Sequence, residues 1–311
     1  MDIDERVNPR VHSAMVSGIL KAADGCRLRW ASWSARGQNP RGMVVLLGGR
    51  AEFLEKYEET AAALNQRGFD AVGFDWRGQG MSCRMLPDRR KGHVDSYDDY
   101  IDDLDLFFER VAAPRSSGPV GVVAHSMGAH VVLRYLRDHP GRFRWAMLVS
   151  PLVDLRLGPL AGGALRILVR AAMALGGSSA CVPGGGRHLQ PGRAFGGNRL
   201  TSDPRRFASD LRLLQEKPAL AVDGITFGWL SATFRSIDTL CSPGYPEGIR
   251  TPVCIVGGGA ERIVSLRAQN RICRRLAVGR YVLIPGARHE ILRETDAVRR
   301  RFWEIFDRFT G

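Results

Sequence analysis

Pro119-Val-Gly-Val-Val-Ala-His-Ser-Met-Gly-Ala-His-Val-Val-Leu-Arg-Tyr-Leu136 is the stretch from which the rest of the chain is read. Val120 to Val123 form a short β-branched apolar run, which reads as a buried strand. Val131, Val132, Tyr135 and Leu136 recur at helical spacing. Between them lies Ala124-His-Ser-Met-Gly128. A strand turning sharply into a helix doubles back on itself, so the residues two before and two after the turn residue must be small. Ala124 and Gly128 meet that demand, with Ala where the pattern G-x-S-x-G has its first glycine. Ser126 is thereby lifted above the sheet edge at a helix N-terminus, where N–H groups and the helix dipole favour developing negative charge. Taken alone, the pentapeptide is equally a plain strand-to-helix turn, and its surroundings must decide.

Outward from this stretch, strands are expected at Cys26 to Trp33, Met43 to Leu47, Phe69 to Phe74, Trp145 to Ser150, Pro252 to Val256 and Arg280 to Ile284. Residues 1–24 read as a lead-in, and Asn39-Pro-Arg-Gly42 as a turn. Helical patterns alternate with the strands, which argues a parallel α/β sheet. Met43 to Leu47 runs into Gly48-Gly49-Arg50, a glycine pair that can turn backbone N–H groups toward a ligand. Asp75 to Ser82 is glycine-rich but lacks both the dinucleotide spacing and a phosphate-loop lysine, so it reads as a structural turn lining the site. Ser96-Tyr97-Asp98-Asp99 opens a helix whose acids read as a solvated face or as partners for arginines.

Residues 156–248 break the alternation. Leu160 to Leu175 is apolar and helical, with Arg156, Arg166 and Arg170 on one stripe. It reads as a lid over an apolar cleft in preference to a helix lying on a membrane. Pro183 to Asn198 is rich in glycine and flexible by composition. Ser202-Asp203-Pro204 starts a further helix, and Thr226 to Phe234 supplies aromatics suited to core or to an acyl chain. The expected organisation is a core of residues 1–155 and 249–311 with a helical insertion at 156–248.

The chain has 311 residues, 44% hydrophobic and 25% charged, the make-up of an ordinary globular protein. No long uncharged apolar run reads as a membrane span. The beginning, Met1-Asp-Ile-Asp-Glu-Arg, lacks the basic-then-apolar pattern of a signal peptide. Cys26, Cys83, Cys181, Cys241, Cys254 and Cys273 form no C-x-x-C pair, so a zinc site is not expected. Free thiols in a reducing, cytoplasmic compartment fit best. The net charge is +13, and apart from Lys21, Lys56, Lys91 and Lys217 its cations are arginines. That excess points to an anionic partner, a phospholipid surface or an acidic substrate. The arginines are dispersed and accompany no nucleic-acid motif, so nucleic acid is not an expected partner.

A serine is a weak nucleophile at neutral pH and needs a base, which in turn needs a carboxylate to fix its tautomer. In a parallel α/β sheet, the residues just beyond the strand C-termini gather on one edge. Three such positions carry Ser126, Glu261 and His289, in the order serine, acid, histidine. Asp154, after the strand that precedes the insertion, is the alternative acid.

With Gly48-Gly-Arg-Ala-Glu-Phe-Leu-Glu-Lys-Tyr57, Phe74-Asp-Trp-Arg-Gly-Gln-Gly-Met-Ser82, Ala124-His-Ser-Met-Gly128, Gly259-Ala-Glu-Arg-Ile-Val264 and Gly286-Ala-Arg-His-Glu290, the chain resembles the α/β-hydrolase superfamily. It is most similar to the serine hydrolases that include bacterial lysophospholipases and monoacylglycerol lipases. The resemblance covers residues 40–311. It departs from the family pattern at Gly48-Gly49, where His-Gly is common, at Ala124, and at Glu261, where Asp is usual. The resemblance implies an α/β-hydrolase fold, a mostly parallel eight-stranded sheet flanked by helices with an inserted helical cap. It also implies a carboxylic ester hydrolase working through an acyl-enzyme, without cofactor or metal. Ser126 would be the nucleophile, His289 the base and Glu261 its orienting acid, with the N–H groups of Arg50 and Met127 as the oxyanion hole. The expected partner is a small lipid or ester substrate, with peripheral contact to an anionic membrane. A peptidase, a carbon–carbon hydrolase or a cofactor-free haloperoxidase on the same fold, or a non-catalytic ligand receptor, are the alternatives.

Overall fold

The computed structural model describes residues 4–8, 15–35, 40–184 and 194–311. Its main sheet has nine strands: β1 Asp4–Asn8, β2 Met15–Lys21, β3 Arg27–Trp33, β4 Gly42–Leu47, β5 Phe69–Phe74, β6 Val120–His125, β7 Ala146–Val149, β8 Val253–Gly258 and β9 Gly279–Ile284. Their order across the sheet is β1-β2-β3-β5-β4-β6-β7-β8-β9. From β5 to β9 every neighbouring pair is parallel. The first three strands join antiparallel at one edge. Two of these, β1 and β2, fall in the segment read as a lead-in, so the sheet has one strand more than the eight expected. Asn39, the first residue of the expected turn, and residues 185–193 of the glycine-rich run lie outside the described residues.

The sheet is covered on both faces, which is why its central strands are continuous apolar runs. Val44, Val45, Leu47, Val122, Val123, Leu148, Val149, Ile255 and Val256 are all fully buried. One face packs on α2 (Asp98–Phe107) and α3 (Ser126–Asp138). The other packs on α1 (Glu58–Gln66) and on the last helix, Asp296–Thr310, through Phe302, Ile305 and Phe306. Asp103 is not on a solvated face. It is buried and takes a two-pronged hydrogen bond from Arg77, with Nε–Oδ2 and Nη2–Oδ1 both 2.7 Å.

Among the described residues between β7 and β8 are three α-helices, α4 Pro159–Ala174, α5 Pro204–Glu216 and α6 Phe227–Cys241. Asp203 caps α5 by accepting from the N–H groups of Arg205 and Arg206, with Pro204 at the first helical position. Helix α6 is buried along most of its length, and α4 packs on it. Leu160, Ile167, Leu168 and Leu175 of this region remain exposed. No helix among the described residues is long and apolar enough to cross a membrane.

The expectation of six free thiols needs correction. Cys26 and Cys83, 57 residues apart, are disulfide-bonded with their Cα atoms 5.5 Å apart. The backbone had already brought them together, since Cys83 N–H donates to the Arg27 carbonyl at 2.8 Å. The compartment argument that rested on free thiols goes with it.

Candidate active site

The sheet order contains one reversal. The chain passes from β4 to β5 on one side, then returns to place β6 on the other side of β4. Crevices outside strand C-termini at such a reversal are where open α/β sheets bind ligands. Leu47 of β4 is in register with Ala124 of β6, so the loops that follow the two strands leave side by side. One loop carries Gly48 to Glu52, the other Ser126.

Ser126 has φ +50°, a left-handed conformation that a non-glycine residue adopts only when its surroundings enforce it. Gly128 explains the close fold-back. A Cβ there would lie 2.4 Å from the Gly48 carbonyl oxygen. The turn sends Ser126 Oγ toward His289, whose Nε2 is 3.0 Å away. His289 Nδ1 lies 2.6 Å from Glu261 Oε2. With Glu261 ionised, Nδ1–H donates to the carboxylate, and Nε2 is left to accept from the serine hydroxyl. The other Glu261 oxygen accepts the N–H groups of Arg262 at 2.7 Å and Ile263 at 2.6 Å. Burial alone would raise the Glu261 carboxyl, but the neighbouring His289 and these N–H donors hold it below its usual range. Asp154 is elsewhere. Its Oδ1 accepts from the Leu155 N–H, and its carbonyl from the Ser265 N–H.

Gly49 N–H donates to Glu52 Oε2, and Ala51 N–H donates to Gln79 Oε1 at 2.7 Å. These two bonds set the path of the loop on either side of Arg50. Met127 lies in the first turn of α3, where N–H groups have no partner within the helix. The glycine-rich loop Asp75 to Ser82 does not line the cavity. It stands behind the site, with Gln79 holding the Gly48–Glu52 loop and Trp76 Nε1 donating to the Gly48 carbonyl at 2.8 Å.

Sequence reasoning gave no role to a buried charge network behind the serine. Glu52 Oε2 also accepts from Tyr57 OH at 2.8 Å and lies 2.9 Å from His125 Nδ1. His125 Nε2 faces the His289 carbonyl oxygen at 3.1 Å. Lys56 Nζ lies 3.2 Å from Glu52, 2.8 Å from Glu290 and 3.6 Å from Asp210. Burial works against the ammonium, but these carboxylates hold the Lys56 pKa above its usual value. Glu290, one of three buried acids sharing that ammonium, is itself pushed up by its burial. The signal in the sequence was Glu52 and Lys56 at helical i, i+4 spacing, whereas Asp210 and Glu290 are too distant in the chain to be paired with them by spacing.

Ser126 and His289 open into a cavity of about 420 Å³. Its wall is apolar at Leu152, Leu155, Leu165, Val182, Leu230 and Ile263.

A family model described as serine aminopeptidase, S33, matches residues 38–296. The chain belongs to the serine aminopeptidase S33 family of hydrolases. Within reach of this family membership, the chain is 32% identical over 271 residues to lysophospholipase L2 of Escherichia coli (strain K12), covering 85% of this chain and 78% of that protein. It is 23% identical over 274 residues to a monoacylglycerol lipase of Mycolicibacterium smegmatis, covering 88% and 89%. Among solved structures, a soluble variant of monoglyceride lipase from Saccharomyces cerevisiae superposes with a TM-score of 0.74 at 21% identity, covering 93% of this chain and 92% of that one. A thermostable carboxyl esterase from Bacillus coagulans superposes with a TM-score of 0.75 at 16% identity, covering 100% and 98%. The α/β-hydrolase fold is thus common to this S33 member and to these structures. The chain is an enzyme of the ester-hydrolase class.

Proposed function

We propose that this S33 hydrolase cleaves monoacyl lipid esters, lysophospholipids or monoacylglycerols, through an acyl-enzyme on Ser126. The observation that carries the reading is the 3.0 Å contact between Ser126 Oγ and His289 Nε2 at the floor of an apolar cavity. Ser126 Oγ attacks the ester carbonyl carbon while its proton passes to His289 Nε2. The carbonyl oxygen, now negative, is held by the N–H groups of Arg50 and Met127. The tetrahedral intermediate collapses, the C–O bond to the alcohol breaks, and Nε2 returns the proton to the leaving oxygen. Water repeats the cycle, giving its proton to Nε2 and its oxygen to the acyl carbon, and Ser126 leaves reprotonated. Glu261 keeps Nδ1 protonated and stabilises the imidazolium in both halves.

The cavity chemistry favours a lipid over a peptide N-terminus. An aminopeptidase needs an anion for the substrate ammonium, and the cavity carboxylates Glu52 and Glu290 are already committed to Lys56. In this reading residues 156–248 act as a cap, and the exposed Leu160, Ile167, Leu168 and Leu175 rest on a lipid surface while substrate enters. The test is a panel of monoacyl lipids and short p-nitrophenyl esters, read alongside fluorophosphonate labelling. Labelling at Ser126 with release of fatty acid is expected. Absence of both would remove the reading.

A further inference from the structure

Among the described residues, four arginines line the active-site cavity: Arg50, Arg156, Arg199 and Arg262. The carboxylates in the same wall, Glu52 and Glu290, are taken up by Lys56 and do not neutralise Arg199 or Arg262. Arg156 is occupied, since its guanidinium donates to the Glu261 carbonyl. Arg50 is half-buried, with its guanidinium carbon 5.9 Å from the Trp229 ring centre. Arg199 and Arg262 differ from these two. Both are exposed, and neither guanidinium has a hydrogen bond or an ion pair among the described residues.

Their positions relative to the reacting atoms follow from the backbone. Arg262 directly follows Glu261, and its N–H is bonded to that carboxylate. Arg199 directly precedes Leu200, whose carbonyl accepts the Glu290 N–H at 2.8 Å, next to His289. The two arginines are therefore carried by segments tied to the two members of the Glu261–His289 pair. In ester cleavage, His289 Nε2 gives its proton to the departing alcohol oxygen, so the alcohol part of the substrate lies on the His289 side.

We infer that Arg199 and Arg262 form a phosphate-binding subsite for the alcohol part of the ester, and that the preferred substrates are monoacyl glycerophosphodiesters with a net anionic head group. This rests on the ester-hydrolase reading of the same site. A planar guanidinium binds phosphate oxygens through paired, charge-assisted hydrogen bonds. A neutral monoacylglycerol offers these side chains only hydroxyl oxygens and no anionic acceptor. A zwitterionic head group brings a second cation close to them.

The test compares kcat/KM for three substrates with one short acyl chain: a monoacylglycerol, a lysophosphatidylcholine and a lysophosphatidylglycerol, each below its micellar concentration. Charge-assisted hydrogen bonds of this kind correspond to a preference of about 10- to 100-fold for lysophosphatidylglycerol over monoacylglycerol. The preference should shrink with added salt and reside mainly in KM. In the Arg199→Gln/Arg262→Gln double variant the ratio should collapse toward one. If that variant fails to fold, each single variant should lose part of the same ratio. A wild-type enzyme that treats the three alike, or a preference that survives in the variants, would overturn the subsite while leaving the esterase intact. No turnover of any of the three, with no fluorophosphonate labelling, would instead overturn the ester reading and the subsite with it.

Discussion

Glu52 Oε2 and His125 Nδ1 lie 2.9 Å apart, both buried, immediately behind the serine. The same carboxylate holds the Gly49 N–H, and the other nitrogen of the same imidazole faces the His289 carbonyl. One ion pair thus ties together the loop after β4, the turn after β6 and the loop after β9. Acceptors face both nitrogens of His125, so both must donate when Glu52 is ionised. Burial opposes that charge, and the Glu52 carboxylate more than offsets it, so the His125 pKa is raised.

Removing the carboxylate should therefore cost both stability and rate. Glu52→Gln leaves Lys56 and His125 with one anion fewer, and breaking a buried pair costs about 3–5 kcal/mol. Urea unfolding should report that loss. The kcat for a p-nitrophenyl ester should fall by about 10- to 100-fold, because the misplaced loop displaces the proposed oxyanion donor, the Arg50 N–H. An unchanged kcat with lowered stability would confine Glu52 to a structural role.

Ser126→Ala should abolish ester turnover, with a loss of about 10⁶-fold in kcat expected for a serine nucleophile. The circular dichroism spectrum should be unchanged. Glu261→Gln should lose about 10⁴-fold by favouring the wrong His289 tautomer. Glu261→Asp should retain more, though a side chain shorter by one methylene in a loop shaped for Glu falls short of Nδ1.

Two buried histidines should titrate in opposite directions. His130 is pushed down to about 3 by its burial and by Arg134, and it sits neutral between the Leu152 carbonyl and Ser236 Oγ. Its folded value is below the unfolded one, so its stabilisation is complete above about pH 6.5 and is lost as pH falls toward 3. His125 has the raised value, so its contribution is complete below about pH 6.5 and is lost as pH rises through the folded pKa. Nitrogen-15 spectra of the imidazoles should show His125 still cationic at a pH where His130 is neutral. A neutral His125 at pH 6 would contradict the assignment.

Gly128→Ala should disrupt the site from the backbone outward. The added methyl meets the Gly48 carbonyl oxygen at 2.4 Å, and neither side is a flexible side chain. Overpacking of this kind costs about 1–3 kcal/mol. Because the displaced strand end leads into Arg50, activity should fall more steeply than thermal stability.

The Cys26–Cys83 bond lies apart from the residues lining the cavity. Cys26→Ser should lower stability by about 2–4 kcal/mol, with kcat retained at 25 °C. Alkylation before and after reduction, read by mass spectrometry, should find two additional thiols only after reduction.

The sequence alone determined what local pattern encodes. β-branched runs buried on both faces marked β4 to β8, and the small residues around Ser126 marked the turn. The order of Ser126, Glu261 and His289 after successive strands marked which side chains could meet, because every parallel strand delivers its C-terminus to the same edge. Tertiary structure decided whatever depends on residues distant in the chain. The edge strand β1 and its neighbour β2 carry no continuous apolar run that marks them as strands. The disulfide needed β3 and the loop after β5 to approach each other before Cys26 and Cys83 could be paired. The network of Glu52, Lys56, Asp210 and Glu290 draws on three segments, and no spacing connects the Glu52–Lys56 pair to Asp210 or Glu290. Burial gives those charges their strength, since a carboxylate and an ammonium removed from water must find each other or remain costly.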